Sequence, residues 1–345
     1  LIYELNFAKV LTTLAGNPVL WESLAIGAFV FGMGLGSWSF AVRPPQSAIK
    51  RFISVELCLT FIGGLGVHLL YAGHILYRIY LYPTADIVGN WLVSPLDQFG
   101  LTSLLLSLAV GFLSGQELPL LLQLLKERQE RLLPSYYLGT LGGTLVLWQT
   151  IVLGFDPLIV GLLCGSVNLF VCFFLLKSYY PKSYYRHLAV LPIAFGLLAA
   201  SLAFSDELTY LQIKNYYYNK HEFSYSTESG LKPSPPSHPH ELRKLMDKSP
   251  DVIRHKSAYQ NIDIVPSYTK MRQRRDGTFS LYLNGRFQMH SKSQKEYHEG
   301  LGLVPLSYQE SDPREVLVLG AGDGLLVKQL LRVSEIEKIV VVELD

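Results

Sequence analysis

Two kinds of hydrophobic pattern divide this chain. From residue 1 to about 204 the apolar residues come in long runs, and after that in short ones. The long runs cover about 19–42, 52–76, 99–116, 136–154, 158–176 and 187–204, and each reads as a helix of membrane-span character. Residues 1–14 read as the tail of a helix whose start is missing, closed by Gly16-Asn17-Pro18. Breaks fall at Arg43-Pro44-Pro45, at Lys126 to Arg131, at Asp156-Pro157 and at Lys177 to Arg186. Gly32, Gly34, Gly36 and Ser37 make one stretch of the first run small enough for a neighbouring helix to approach closely.

The short runs predict a different architecture. Residues 205–250 are polar and aromatic, with Lys232-Pro233-Ser234-Pro235-Pro236 as a linker-like breaker. His238 and His240 flank it as surface histidines. Ile262 and Ile264 alternate like a strand, and Phe279 to Leu283 reads as another. Asp276-Gly277 and Asn284-Gly285 are hairpin-turn signals, so residues 251–300 predict a small antiparallel sheet, with Glu296 to Glu299 opening a helix. Val316 to Leu319 is an apolar run of the kind buried on both faces of a parallel sheet. Gly320-Ala321-Gly322-Asp323-Gly324 turns from it into a helical pattern ending near Val333. Ile339 to Val342 is the next strand and ends in Glu343-Leu344-Asp345. The whole is a multi-spanning α-helical membrane domain (1–204), a linker (205–250), a small β domain (251–300) and the first βαβ unit of a Rossmann-like α/β domain (301–345).

Charge sharpens this division. Residues 1–204 hold 11 basic and 9 acidic side chains; residues 205–345 hold 19 of each. A hydrophobic fraction of 49% with mean hydropathy of +0.24 is high for a water-soluble chain. Net charge of +2 without a basic stripe argues against nucleic acid as a partner, and Arg272, Arg274 and Arg275 read as a solvated hairpin. Cys58, Cys164 and Cys172 read as isolated, buried thiols in apolar segments, so neither disulfides nor a metal site is expected. Basic loops at 43–51, 126–131 and 177–186 belong in the cytoplasm, and the loops at 79–98 and 155–157, almost without Lys or Arg, lie outside. This count carries residues after 205 outside unless one apolar segment is re-entrant. Glu22, Glu56 and Glu117 lie in or near spans, where an acid faces the bundle interior, either holding helices together or lining a path for cations or polyamines. His68 and His74 read as structural.

The chemistry concentrates at the second strand–turn–helix. Glycines at 320, 322 and 324 permit a tight turn and close approach of a ligand to the backbone. An acid about twenty residues later, Glu343, is placed to take both ribose hydroxyls of a nucleoside. Asp323 would repel a phosphate at that turn and suits a cationic tail, which argues against NAD or FAD.

Four features in order resemble the spermidine synthase family of aminopropyltransferases. They are Ser257-x-Tyr259-Gln260, Leu283-Asn284-Gly285-Arg286-Phe287-Gln288, Tyr297-His298-Glu299, and the glycine turn with Glu343-Leu344-Asp345. Gly115-x-Glu117-Leu118-Pro119 and Tyr137-Leu138-Gly139 resemble its multi-spanning members. The resemblance implies transfer of an aminopropyl group from decarboxylated S-adenosylmethionine to putrescine or a related amine, releasing methylthioadenosine. The sulfonium is already an activated leaving group, so that reaction calls for no metal or resident cofactor. By resemblance, Gln260, Gly320, Gly322, Gly324 and Glu343 would bind the nucleoside, and Gln288, His298 and Asp323 the amine and aminopropyl region. The competing readings are an exposed strand residue for Gln260, a helix-surface histidine for His298, a helix cap for Asp323 and a solvated loop acid for Glu343.

Two departures stand beside the resemblance. Ser293 and Gln294 occupy the places of a family Asp-Glu pair, and no Asp-x-x-Asp of catalytic acids follows the ribose acid. The chain therefore reads as a fragment truncated at both ends, with its general base expected beyond Asp345. The expected partners are polyamine and nucleoside substrates and a lipid bilayer; soluble relatives commonly dimerise, which leaves a homodimer open. The alternatives are a methyltransferase using S-adenosylmethionine itself, and a non-enzymatic polyamine transporter or sensor with a vestigial nucleoside fold.

Overall fold

The computed structural model describes residues 2–15, 18–77, 95–125, 129–179, 190–218, 247–257, 259–269, 274–309 and 314–344. The loop at 79–94, the basic segments at 126–128 and 180–186, Arg272, the Pro-rich run, His238 and His240 lie outside them. The chain forms two compact units, 1–249 and 250–345.

The first unit is helical. Its elements are α1 (Ile2–Ala15), α2 (Pro18–Val42), α3 (Ala48–Ile62), α4 (Gly66–Leu76), α5 (Pro95–Leu124), α6 (Gln129–Val152), α7 (Pro157–Tyr179), α8 (Val190–Ala203) and α9 (Ser205–Tyr218). α1 sits in the core, with Phe7, Val10 and Leu11 buried. α2 and α5 make the closest pairing. A Cβ on Gly32, Gly36, Gly111 or Gly115 would run into the partner backbone at Leu108, Phe112, Phe29 or Met33. Ser37 Oγ donates to Gly115 O at 2.7 Å across this seam. Gly34, between the two contact glycines of α2, meets nothing within 4 Å.

One helix expected as a single span, 52–76, is broken into α3 and α4, and the helix expected at 187–204 runs on, past a bend, into α9. α3 and α4 meet at a 43° bend and α8 and α9 at a 50° bend. Gly64 supplies the first bend with its packing, because its Cβ position lies 3.2 Å from Gly165 Cα of α7. Three helices among the described residues (α2, α5 and α7) are long and apolar enough to cross a membrane, or up to five if each bent pair is one span. The sequence expectation was six. α6 is the difference: Thr, Gly and Gln dilute its apolar run.

Residues 205–218, expected to begin a linker, instead form α9, which packs on α4. Gln212 Nε2 donates to buried His74 Nδ1 at 3.0 Å, joining the two helices. Lys214 Nζ donates to Ser249 O at 3.0 Å and lies over the Tyr210 ring. His68 Nε2 lies 3.3 Å from Ser201 O of α8. Glu56 is buried and Glu117 half-buried, but Glu22 is exposed and does not face the bundle interior. Cys58 is exposed, not buried as expected; Cys172 is buried.

The second unit opens with β1 (Ile253–Lys256), β2 (Asn261–Thr269), β3 (Arg274–Leu283) and β4 (Arg286–His290), an antiparallel sheet in sequence order. Asn284 and Gly285 take positive φ of 50° and 77° and form the two-residue β3–β4 turn. Asp276-Gly277 does not turn the chain: β3 runs through it, with Arg275 paired to Tyr268. The irregularity at Pro266 to Tyr268 takes up the register shift that the positive φ of Gly277 accompanies. Arg254 clamps buried Asp263 through two hydrogen bonds of 2.6 and 2.7 Å, tying β1 to β2.

Then come α10 (Gln294–Ser307), β5 (Glu315–Leu319), α11 (Leu325–Leu330) and β6 (Lys338–Val342). β5 and β6 are parallel, with Leu319 opposite Val342. Val318, Leu326 and Leu330 form the core under α11. Leu317 and Leu319 are 61% and 75% exposed. β5 is therefore covered on one face only among the described residues, where the apolar run predicted burial on both.

Candidate functional site

The parallel register decides the geometry of the site. Pairing Leu319 with Val342 brings Gly320 and Glu343, the next residue on each strand, side by side at the carboxyl ends of the sheet. That is where α/β sheets bind ligands. Gly320 N–H donates to Val342 O at 2.8 Å, hooking the turn onto β6. The turn needs left-handed backbone at three residues: Gly320 (φ 84°), Ala321 (φ 66°) and Gly324 (φ 68°). Gly324 N–H closes it on Ala321 O at 2.9 Å and starts α11.

Glu343 lies over this turn. Its Oε2 is 3.0 Å from the point a Cβ on Gly322 would occupy and 4.0 Å from the corresponding point on Gly320. The absence of a side chain at 322 is what admits the carboxylate there. Glu343 Oε1 accepts Leu344 N–H at 2.8 Å, leaving Oε2 toward the turn.

Asp323 takes part in two contacts. Oδ1 accepts Leu325 N–H at 2.9 Å, an Asx-turn contact made from one place before the N-cap, Gly324. Oδ2 lies 3.3 Å from His298 Nε2, an ion-pair contact when the ring is protonated. His298 is buried, not a helix-surface residue. Its Nδ1 is 2.6 Å from Gln294 O; a carbonyl only accepts, so Nδ1 is the donor. Since the acceptor is a backbone carbonyl, the side chain at 294 does not decide this bond. α10 buries the face that carries His298 and Gly302, and Gly302 leaves room for Leu326 of α11. Arg332 Nη1 to Glu299 Oε1, at 2.9 Å, ties α10 to the chain just beyond α11.

Gln260 and Gln288 belong to the four-stranded sheet. Gln260 precedes β2 in a turn organised by Ser257, whose Oγ accepts Tyr259 N–H at 3.1 Å and Gln260 N–H at 3.0 Å. Gln288 is the extra residue of a bulge on β4, since Leu281 pairs with Met289 and Tyr282 with Phe287. It is exposed, and among the described residues it makes no hydrogen bond to the glycine turn. The structure thus gathers Gly320, Gly322, Asp323, Glu343 and His298. The positive φ of Ala321 carried no sequence signal, since alanine seldom adopts it. The turn-organising Ser257 was visible only as part of a motif.

A strand, a glycine turn, a helix and a parallel strand ending in an acid define the opening of a Rossmann-like, methyltransferase-like domain. Residues 294–345 match the family described as spermine/spermidine synthase domain. Proteins named polyamine aminopropyltransferase align over the whole chain: 26% identical in Leptospira interrogans, 26% in Oceanobacillus iheyensis and 28% in Mycobacterium tuberculosis. The chain spans 59%, 58% and 58% of those relatives' lengths. No solved structure matches. The chain is thus similar to proteins named polyamine aminopropyltransferase over its length, and to the spermine/spermidine synthase domain over residues 294–345, as its motifs indicate.

Proposed function

We propose that the native protein is a membrane-anchored aminopropyltransferase. It moves the aminopropyl group of decarboxylated S-adenosylmethionine to putrescine or a related amine. One observation carries this reading: the register of β5 and β6 sets Glu343 over a glycine turn that itself holds Asp323. Glu343 suits two ribose hydroxyls, and Asp323, a carboxylate beside the same turn, suits an ammonium tail. Gln260 would contact the nucleoside, and Gln288 the amine region. In the reaction the neutral amine nitrogen attacks the carbon next to the sulfonium. The carbon–sulfur bond breaks, methylthioadenosine leaves with the electron pair, and the new secondary ammonium sheds a proton. The apolar helices of the first unit hold the enzyme in the bilayer.

The test is turnover by the native protein in detergent or liposomes. Putrescine and decarboxylated S-adenosylmethionine are expected to yield spermidine and methylthioadenosine in equal amounts. Release of S-adenosylhomocysteine from S-adenosylmethionine would establish the methyltransferase alternative instead. Polyamine uptake into proteoliposomes without either product would establish the transporter.

A further inference from the structure

Glu56 of α3 and Glu117 of α5 belong to the helical unit, and the reaction proposed above uses neither. Glu56 is 8% exposed and Glu117 is half-buried. Glu117 lies within electrostatic reach of Glu56. Among the described residues neither carboxyl group makes a hydrogen bond or an ion pair. Arg51 stands about one and a half turns before Glu56 on α3. Its Nε donates to Gln116 Oε1, on the residue next to Glu117, at 2.8 Å and not to either acid.

An acid inside a helical bundle has two roles open to it: it ties helices together, or it meets a cation from outside the chain. A tie needs a bond. A carboxylate makes one with a donor of the chain, and a protonated carboxyl brings an O–H that needs an acceptor. Neither bond is present, so these acids do not hold the helices together. Left so among apolar residues, they are costly unless something from outside meets them. A third polar group belongs with them. Tyr3 of α1 is 8% exposed, and its ring lies against Gly63, two turns along α3 from Glu56 on the same face. Its hydroxyl accepts from Asn168 Nδ2 of α7 at 3.3 Å, and the hydroxyl proton has no acceptor among the described residues. Both Glu56 and Glu117 are within electrostatic reach of it.

Resting on the bilayer reading above, we propose that Glu56, Glu117 and Tyr3 form a site in the helical unit for a primary alkylammonium. Its three N–H donors suit two carboxylates and the remaining lone pair of the Tyr3 hydroxyl, and its alkyl chain suits apolar walls. A divalent metal ion fits less well, because among the described residues no His, Cys or further acid completes a ligand set. Glu56 stands near the start of α3, and Glu117 about two turns from the end of α5. Both are close in sequence to the basic segments at 43–51 and 126–131. The site therefore lies toward one membrane surface, in reach of two sources of this chemistry: a free diamine and the headgroup of an ethanolamine lipid.

The experiment is equilibrium dialysis of radiolabelled putrescine against the native protein in nanodiscs of phosphatidylcholine, which has no primary amine. Wild type is expected to bind one further equivalent per chain than Glu56→Gln, or to bind it at least about tenfold more tightly, the effect of losing a charged contact. Tyr3→Phe keeps the ring on Gly63 and removes the hydroxyl. It is expected to weaken the same site about threefold to tenfold, and it carries the test should Glu56→Gln fail to fold. Equal binding by wild type and variants would overturn the proposal. Discs made with phosphatidylethanolamine decide the source: loss of putrescine from this site assigns the lipid headgroup, and undisturbed binding assigns the free amine. Glu56→Gln is expected to leave kcat and acceptor KM within about twofold of wild type. Parallel loss of turnover and of putrescine binding would show a single amine site and overturn the proposal. A wild type that binds the further putrescine and releases no methylthioadenosine would remove the transferase reading and leave this site standing.

Discussion

Gly322 and Gly324 stand two residues apart, and an added methyl group has opposite consequences at each. At 322 the backbone has ordinary φ, and the new carbon would meet Glu343 Oε2 at 3.0 Å and Cδ at 3.1 Å. The end of an exposed side chain can move aside at little cost. Gly322→Ala is therefore expected to leave the melting temperature nearly unchanged. If Glu343 holds the ribose as proposed, displacing it should weaken methylthioadenosine binding about tenfold, the effect of losing one charge-assisted hydrogen bond. At 324 nothing lies within 4 Å, but φ is 68°. Gly324→Ala is expected to cost about 1 kcal/mol of stability through left-handed strain and to change binding less. Calorimetric titration beside thermal unfolding separates the two; equal effects on binding would remove the special place of Glu343. The glycines and the acid were legible in the sequence because a strand, a turn and a strand fix their relative places within thirty residues. The burial of His298 was not. Which side of α10 is covered depends on α11, thirty residues away, and no periodicity in Gln294 to Ser307 announces it.

Elements were legible where a local pattern decides them and obscure where packing does. Asn284-Gly285 turns the chain as its residue types predict, because the left-handed backbone there is purely local. Asp276-Gly277 carries the same kind of signal and is absorbed into β3, because pairing with β2 continues past it. The polar stretch after 205 resembles a linker, yet α9 is held on α4 by Gln212 and His74, a contact between residues far apart in sequence. The glycines of α2 were legible as a packing surface, but only as a set. Gly32 and Gly36 face α5, and Gly34 does not. Helical periodicity gives the rule, since four residues return to one face and two do not. Across the seam, Gly111 of α5 has its Cβ position blocked by the backbone of Phe29, which cannot move aside as a side chain can. Gly111→Ala is expected to destabilise the helical unit by about 1–3 kcal/mol, the usual cost of overpacking. Gly34→Ala should be neutral or slightly stabilising through helix propensity. Detergent-solubilised unfolding of the two variants checks this, and a neutral Gly111→Ala would mean that α2 and α5 are not in backbone contact.

At the scale of the whole molecule, one helix decides how the chain would thread a bilayer under the membrane-anchored reading proposed above. α6 is 24 residues long, a rise of about 36 Å, so its length suffices for a hydrocarbon core of about 30 Å. Its composition is weaker than that of α2, α5 and α7, and it packs little against its neighbours. Much of its surface is nonetheless apolar and exposed: Leu138, Leu141, Leu145 and Trp148 all face outward. A helix with such a surface is stable against lipid, not against water. Charge supplies the direction. Arg131 lies at its start, and the turn to α7, Leu153 to Asp156, has no basic residue. Positive-inside bias then places the start of α6 in the cytoplasm and this turn outside. In a cysteine-free background, Phe155→Cys is expected to react with a membrane-impermeant maleimide added to intact cells. Gln46→Cys, in the basic loop after α2, should react only once the membrane is opened. Both positions are exposed, so failure to react reports sidedness and not burial. If Phe155→Cys reacts only in opened cells, α6 does not cross. Every later segment then changes side, and the residues after α9 come to the cytoplasmic face, where nucleoside substrates are made.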